Sequence, residues 1–153
     1  KAFVTDINPY ALESLEDNCR GYNHKIEPIL TTPDSLGVDE LPPLVICNPP
    51  YIPRPDASIN NPYEGLKLIE LLLAARPERL LINISSTSGD IFDEEPLDTM
   101  EVPLKVNTVT NGLSKSSRDW LRWLLDNNRL IEKDPDIYGY QYWHQLRFYD
   151  ISA

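Results

Sequence analysis

The run Leu44-Val45-Ile46-Cys47 stops abruptly at Asn48-Pro49-Pro50-Tyr51. The four apolar residues predict a buried parallel strand. The two prolines then lock φ and remove two N–H donors, so the strand cannot continue. Asn48 is thereby held at the carboxyl end of a strand, where ligands bind in open α/β sheets. A carboxamide oxygen, the Pro49 carbonyl and the Tyr51 ring together make a socket for a planar –NH2 group. Each oxygen accepts one N–H, and the ring stacks on the flat group. Amide and aniline-like nitrogens are weak nucleophiles because their lone pair is delocalised. Two acceptors favour the pyramidal nitrogen as positive charge develops on it. The plain alternative is a turn that only ends a strand.

A second motif stands at the start of the chain. Ala2-Phe3-Val4-Thr5-Asp6-Ile7-Asn8-Pro9 reads as a short strand ending in an acidic residue, then a helix. Asn8 is the N-cap and Pro9 the first helical residue. The helix runs from about Tyr10 to Arg20, with Leu12, Leu15 and Cys19 on one face. An acidic residue ending the second strand of a Rossmann-like fold sits where it can accept hydrogen bonds from a ribose diol. It is also a charge favoured beside a helix start. The two roles are compatible.

Asn48-Pro49-Pro50-Tyr51 resembles the Asn/Asp-Pro-Pro-aromatic signature of S-adenosylmethionine-dependent methyltransferases that modify amide or exocyclic amino nitrogens. The longer run Asn48-Pro49-Pro50-Tyr51-Ile52-Pro53 is most similar to the HemK/PrmC-type protein-(glutamine-N5) methyltransferases. Their substrate is the glutamine of a Gly-Gly-Gln motif in peptide release factors. The resemblance implies a class I, Rossmann-like α/β fold. Its sheet is mostly parallel, with helices on both faces and an antiparallel carboxyl-terminal strand pair. It implies S-adenosyl-L-methionine as cofactor, with Asp6 on its ribose, Asp34 near the adenine amino group and Asn48 bordering it. It also implies catalytic roles for Asn48, Pro49 and Tyr51, and substrate contacts from Pro50, Tyr51 and Ile52. Asp34 has a competing role as a turn residue in Pro33-Asp34-Ser35.

The glycine-rich turn of that family has no counterpart here. The six glycines are scattered at positions 21, 37, 65, 89, 112 and 139, and no G-x-G occurs. The chain opens inside what matches the second strand, and the first, central strand is missing. Residues 1–153 therefore read as the carboxyl-terminal part of a single methyltransferase domain, and upstream residues are expected. A sheet with its central strand removed would expose unpaired backbone groups.

The rest of the chain alternates strands and helices. Ile26–Leu30 is the family's third strand. A proline-rich loop, Pro53 to Pro62, suggests a substrate-side segment. A leucine-rich helix covers about Tyr63 to Ala75, and Leu80–Ser85 is a second buried strand. The turn Ser85–Ser88 carries hydroxyls that either orient substrate or serve the turn itself. An acidic insertion follows at about 89–114. Residues 90–101 hold six carboxylates and no Lys or Arg, and Val102, Leu104 and Val106 alternate as in a half-exposed strand. This insertion is either a solvated excursion or a docking surface for a basic partner. A helix from Ser116 or Ser117 to Asn128 carries Trp120, Leu121, Trp123, Leu124 and Leu125 as core residues. Arg129–Lys133 and Tyr142–Ile151 are expected to pair antiparallel and close the sheet.

Composition sets the outer bounds. A chain of 153 residues buries a real core. No segment approaches membrane-spanning length and no signal peptide pattern is visible. Cys19 and Cys47 occupy apolar positions, as reduced thiols of a cytoplasmic protein do. His24 and His144 have no metal-ligand neighbours at suitable spacing, so no metal site is predicted. Both read as surface or ordinary structural residues. Asp and Glu outnumber Lys and Arg by 24 to 14, a net charge of −10, which counts against a phosphate backbone as partner. The one modest basic group is Lys115, Arg118 and Arg122. The expected function is methylation of a protein glutamine, with a release factor as substrate. The alternative within enzymes is methylation of an exocyclic amine of adenine or guanine in RNA or DNA. The alternative of another class is a catalytically silent, methyltransferase-like binding scaffold. The sequence does not set the oligomeric state.

Overall fold

The computed structural model describes residues 1–22, 25–49, 67–105 and 115–152. They form a mixed α/β protein in two compact units. The first unit gathers Lys1–Pro42 and Lys67–Arg76; the second gathers the remaining described residues, from 43 to 49 and from 77 onward.

In the first unit, β1 (Ala2–Asp6) and β2 (Ile26–Leu30) pair in parallel, from Ala2 opposite Ile26 to Asp6 opposite Leu30. α1 (Pro9–Asn18) supplies the crossover that a parallel pair requires. Its start follows the sequence. Asn8 is extended, its Oδ1 accepts the Tyr10 N–H at 3.1 Å, and Pro9 opens the helix. The helix stops at Asn18, two residues before the expected Arg20. Arg20–Tyr22 tightens instead into a 3-10 turn around Gly21, a poor α-helix former. α2 (Lys67–Ala75) buries Ile69 and Leu72, one helical turn apart. The expected beginning of this helix at Tyr63 lies outside the described residues.

The second unit is a mixed sheet. β3 (Leu44–Cys47) and β4 (Arg79–Ser85) are parallel, from Leu44 opposite Arg79 to Cys47 opposite Ile82. β5 (Asp98–Pro103) follows, then α3 (Lys115–Asp126), β6 (Ile131–Glu132), α4 (Pro135–Tyr138) and β7 (Tyr142–Ser152). β7 runs antiparallel between β4 and β5, giving the order β3-β4-β7-β5, and the short β6 also pairs with β7. Arg79 clamps the β4–β7 pair through Nε and Nη2 on the two Asp150 oxygens, at 2.8 and 2.6 Å. In β4, Leu80, Ile82 and Ile84 are buried on one face; Leu81 and Asn83 are half-buried on the other.

α3 explains its own boundaries. Trp120, Leu121 and Leu124 lie on one stripe and are buried together with Leu104 and Leu130. The helix ends two residues before the expected Asn128. Asn128 itself turns left-handed with φ 56°, and the N–H groups of Asn128 and Arg129 return to the Leu125 and Leu124 carbonyls at 3.0 and 2.8 Å. That is a Schellman ending, and asparagine tolerates its left-handed position.

Three sequence expectations need correction here. β3 is parallel as expected but not buried throughout: Leu44 is 44% and Ile46 75% exposed. Among the described residues β4 is its only strand partner, so β3 is a sheet edge. The strand expected around Val102, Leu104 and Val106 lies earlier, at Asp98–Pro103, because its register with β7 runs from Asp98 opposite Phe148 to Pro103 opposite Trp143. Leu104 is buried beyond its end, and Val106 lies outside the described residues. Finally, the expected strand at Arg129–Lys133 shrinks to Ile131–Glu132, which pairs antiparallel with β7 on the edge that β4 lines further along, while β5 lines the opposite edge.

The fully buried Leu124 should be the most sensitive point of the α3 cluster. Leu124→Ala is expected to lower stability by about 2–5 kcal/mol. Urea unfolding reads this as a lower midpoint at unchanged slope. A shift below about 1 kcal/mol would mean that the cluster does not anchor the unit.

Candidate functional site

Where it is described, the Asn48-Pro49 corner ends the strand as expected. β3 ends at Cys47, Asn48 is exposed, and Pro49 is fully buried. The buried ring holds the corner while the carboxamide faces solvent. Extending the β3–β4 register by one residue sets Asn48 beside Asn83, with both side chains on the same face of the sheet. Asn83 Nδ2 donates to Asn48 Oδ1 at 2.9 Å. An amide oxygen accepts two hydrogen bonds, so Asn48 retains capacity for a second donor. Pro50, Tyr51 and Ile52 lie outside the described residues, as does the Pro53–Pro62 loop.

Asn83 was not singled out by the sequence. Its signal was present: one amide in the apolar run Leu80-Leu81-Ile82-Asn83-Ile84. What that amide meets depends on the strand register, which the run alone does not encode.

In the first unit, Asp6 is half-buried at the carboxyl end of β1. Its Oδ1 accepts the Asn8 N–H at 2.8 Å, and its main-chain oxygen accepts the Thr31 N–H at 3.0 Å. The carboxylate is thus fixed just ahead of α1, where the helix dipole favours negative charge. The helix-start role anticipated for Asp6 is realised, and Oδ2 has no part in it. Asp34 is exposed in a turn closed by the Ser35 N–H on Thr32 O at 3.1 Å. Thr31 Oγ1 donates to Ser35 O at 2.9 Å, and the Gly37 N–H to Ser35 Oγ at 3.0 Å. This matches the turn role weighed for Asp34. A shallow cavity of about 260 Å³ in the same unit is lined by Leu15, Glu16, Cys19, Ile26 and Pro28, not by either aspartate.

Comparison with family models, curated proteins and solved structures finds no match to this chain.

The hydroxyl-rich turn after β4 serves the fold. Ser85, Ser86, Thr87 and Ser88 are all buried. Ser85 Oγ lies 2.8 Å from His144 Nδ1 and 2.8 Å from Thr87 Oγ1, and it accepts the Thr87 N–H at 3.1 Å. With the His144 proton on Nε2, Ser85 donates to Nδ1 and Thr87 donates to Ser85; with it on Nδ1 both directions reverse. Ser86 Oγ donates to the Arg129 carbonyl at 2.8 Å and accepts the Gln145 N–H at 2.9 Å. Of the two roles left open for these hydroxyls, Ser85 and Ser86 fill the turn's own. His144 is a structural residue of the interior, 2% exposed, and burial pushes its pKa below the ordinary value. Gly89 closes the turn at φ +84°, where an added Cβ would stand 2.8 Å from an Arg129 nitrogen. The two cysteines are free thiols, and burial pushes the Cys47 thiol up to about 11. Among the described residues no His, Cys, Asp and Glu group could hold a metal ion, and no helix is long and apolar enough to cross a membrane.

Two titrations follow. Cys47 carries about a hundred-fold less thiolate near neutral pH than an ordinary cysteine. Iodoacetamide at pH 8 should therefore label it about a hundred-fold more slowly in the folded protein than in urea, as read by peptide mass spectrometry. Equal rates would contradict its burial. For His144 the folded pKa lies below the unfolded value of 6.5, so the unfolded chain binds more protons below that pH. Its contribution to stability is complete above pH 6.5 and is lost as the pH falls toward the folded pKa. The urea midpoint of wild type should drop between pH 7.5 and 5 more than that of His144→Gln; parallel drops would rule the imidazole out as the source.

Proposed function

We propose that the protein is an S-adenosylmethionine-dependent N-methyltransferase that acts on a planar nitrogen, with the glutamine side chain of a protein such as a peptide release factor as substrate. The observation that carries this reading is the solvent-facing Asn48 carboxamide, held at a strand end by a buried proline. The parallel pairs β1–β2 and β3–β4 and the antiparallel β7 support the Rossmann-like fold that such an enzyme uses. A cytoplasmic location fits the free thiols and the substrate.

The cofactor supplies an electrophilic sulfonium methyl group. Asp6 suits its ribose diol because the carboxylate is already oriented by the Asn8 N–H. Asp34 is the residue for the adenine amino group. Asn48 Oδ1 and the Pro49 carbonyl each accept one N–H of the substrate amide, turning its lone pair toward the methyl carbon. Tyr51 stacks on the amide and fixes its plane, while Pro50 and Ile52 border it. Asp6, Asp34 and Asn48 would hold the cofactor, whose methyl group would pass to the nitrogen with the thioether as leaving group. The methylated nitrogen is acidic and loses its proton to water, so no strong general base is needed. The gain comes from alignment and from acceptors set where charge grows.

Asn48→Ala should lower methyl transfer by at least about a hundred-fold while S-adenosylmethionine affinity, measured by calorimetry, stays within about two-fold. Radiolabelled methyl incorporation into release factor should exceed that into total RNA. Incorporation into RNA alone would replace the glutamine by an exocyclic base amine. Cofactor binding without any transfer would leave a scaffold.

A further inference from the structure

We infer that Asn83 is a positioning residue that fixes which end of the Asn48 carboxamide a substrate meets. This rests on the methyl-transfer reading above. At several other positions a side-chain oxygen takes the N–H two residues on. Asp6 Oδ1 takes that of Asn8 at 2.8 Å, Asn8 Oδ1 that of Tyr10 at 3.1 Å, Ser85 Oγ that of Thr87 at 3.1 Å and Asp134 Oδ1 that of Asp136 at 2.9 Å. Asn48 has no such donor. The next two residues are Pro49 and Pro50, and neither carries an N–H. The hydrogen bond arrives instead across the sheet, from Asn83 Nδ2 at 2.9 Å. The parallel register that sets residue 83 beside residue 48 makes this contact a consequence of strand pairing rather than of the loop.

The contact has chemical content because a carboxamide is nearly symmetric in shape. Its terminal torsion is broad and roughly two-fold, so oxygen and nitrogen exchange places unless a partner distinguishes them. The oxygen carries two lone pairs, and the nitrogen carries two hydrogens in the matching directions. With oxygen toward Asn83, one lone pair is used and the second remains for a substrate N–H. Turned over while Asn83 keeps its donor toward it, the group meets both donors with hydrogens, and both contacts are repulsive. With Asn83 in the sense it has here, the sense that satisfies Asn83 is the sense that accepts substrate. Asn83 does this from a half-buried strand position, while Asn48 stays exposed. It gives nothing to the reacting atoms and acts only through Asn48.

The test compares wild type with Asn83→Leu and Asn83→Asp in methyl transfer to release factor. Asn83→Leu removes the distinguishing donor, and kcat is expected to fall roughly five- to ten-fold with KM and cofactor affinity retained. Asn83→Asp at pH 7 offers only acceptors, draws the Asn48 NH2 toward itself and is expected to cost roughly ten- to a hundred-fold in kcat. As the pH is lowered from 7 to 4.5 the introduced carboxyl gains a hydrogen that it can donate to Asn48 Oδ1. The ratio of variant to wild-type kcat should then rise, which a misfolded variant would not do. Nitrogen-15 relaxation of the Asn48 side-chain amide gives a readout without turnover: its order parameter should fall in Asn83→Leu. Wild type that transfers no methyl group removes the methyltransferase reading. An unchanged Asn48 order parameter, an unchanged kcat in Asn83→Leu or a flat ratio in Asn83→Asp removes the positioning role.

Discussion

Parallel pairing of β3 with β4 is the constraint on which the rest of the second unit depends. It fixes a register that ends at Cys47 opposite Ile82, and the next step of that register brings two amides together. It also ties the Asn48 corner to β4, the strand whose other edge is clamped to β7 by Arg79 and Asp150. A slip of one residue would turn every β3 side chain to the opposite face and separate Asn48 from Asn83. Burial of Pro49 holds the corner in place, because a proline ring in the interior has no N–H left to satisfy.

The features legible in the sequence are those decided by local chemistry. Asn8 and Pro9 announce the start of α1, and the structure has that cap. The spacing of Trp120, Leu121 and Leu124 announces the buried stripe of α3. The features that were not legible are decided by partners distant in sequence. β5 begins at Asp98 because of where β7 runs, while its own alternation of Val102, Leu104 and Val106 suggested a later strand. Leu44 and Ile46 read as core because they are apolar, but the face of β3 that they share is left exposed among the described residues. Asn83 was visible as an oddity and silent about its purpose until register supplied its neighbour.

The polar interior around His144 shows how the unit accommodates groups that burial penalises. An imidazole 2% exposed is kept neutral, and the Ser85 and Thr87 hydroxyls continue a hydrogen-bonded chain from its Nδ1. A network of this kind couples the ring's tautomer to the directions of both hydroxyls, an order that an apolar filling would not impose. The Ser85 and Ser86 hydroxyls, two of those that looked available for substrate in the sequence, are therefore committed to the fold.

Ser86 has a consequence for continuity. One edge of β7 is lined first by β4 and then by β6, two segments more than forty positions apart in the chain. At the junction the Ser86 hydroxyl takes the Gln145 N–H and gives its own hydrogen to the Arg129 carbonyl. A side chain here does the work of a peptide unit, splicing two short pieces into a single composite rail. The long central strand thus meets continued hydrogen bonding where its neighbour changes identity.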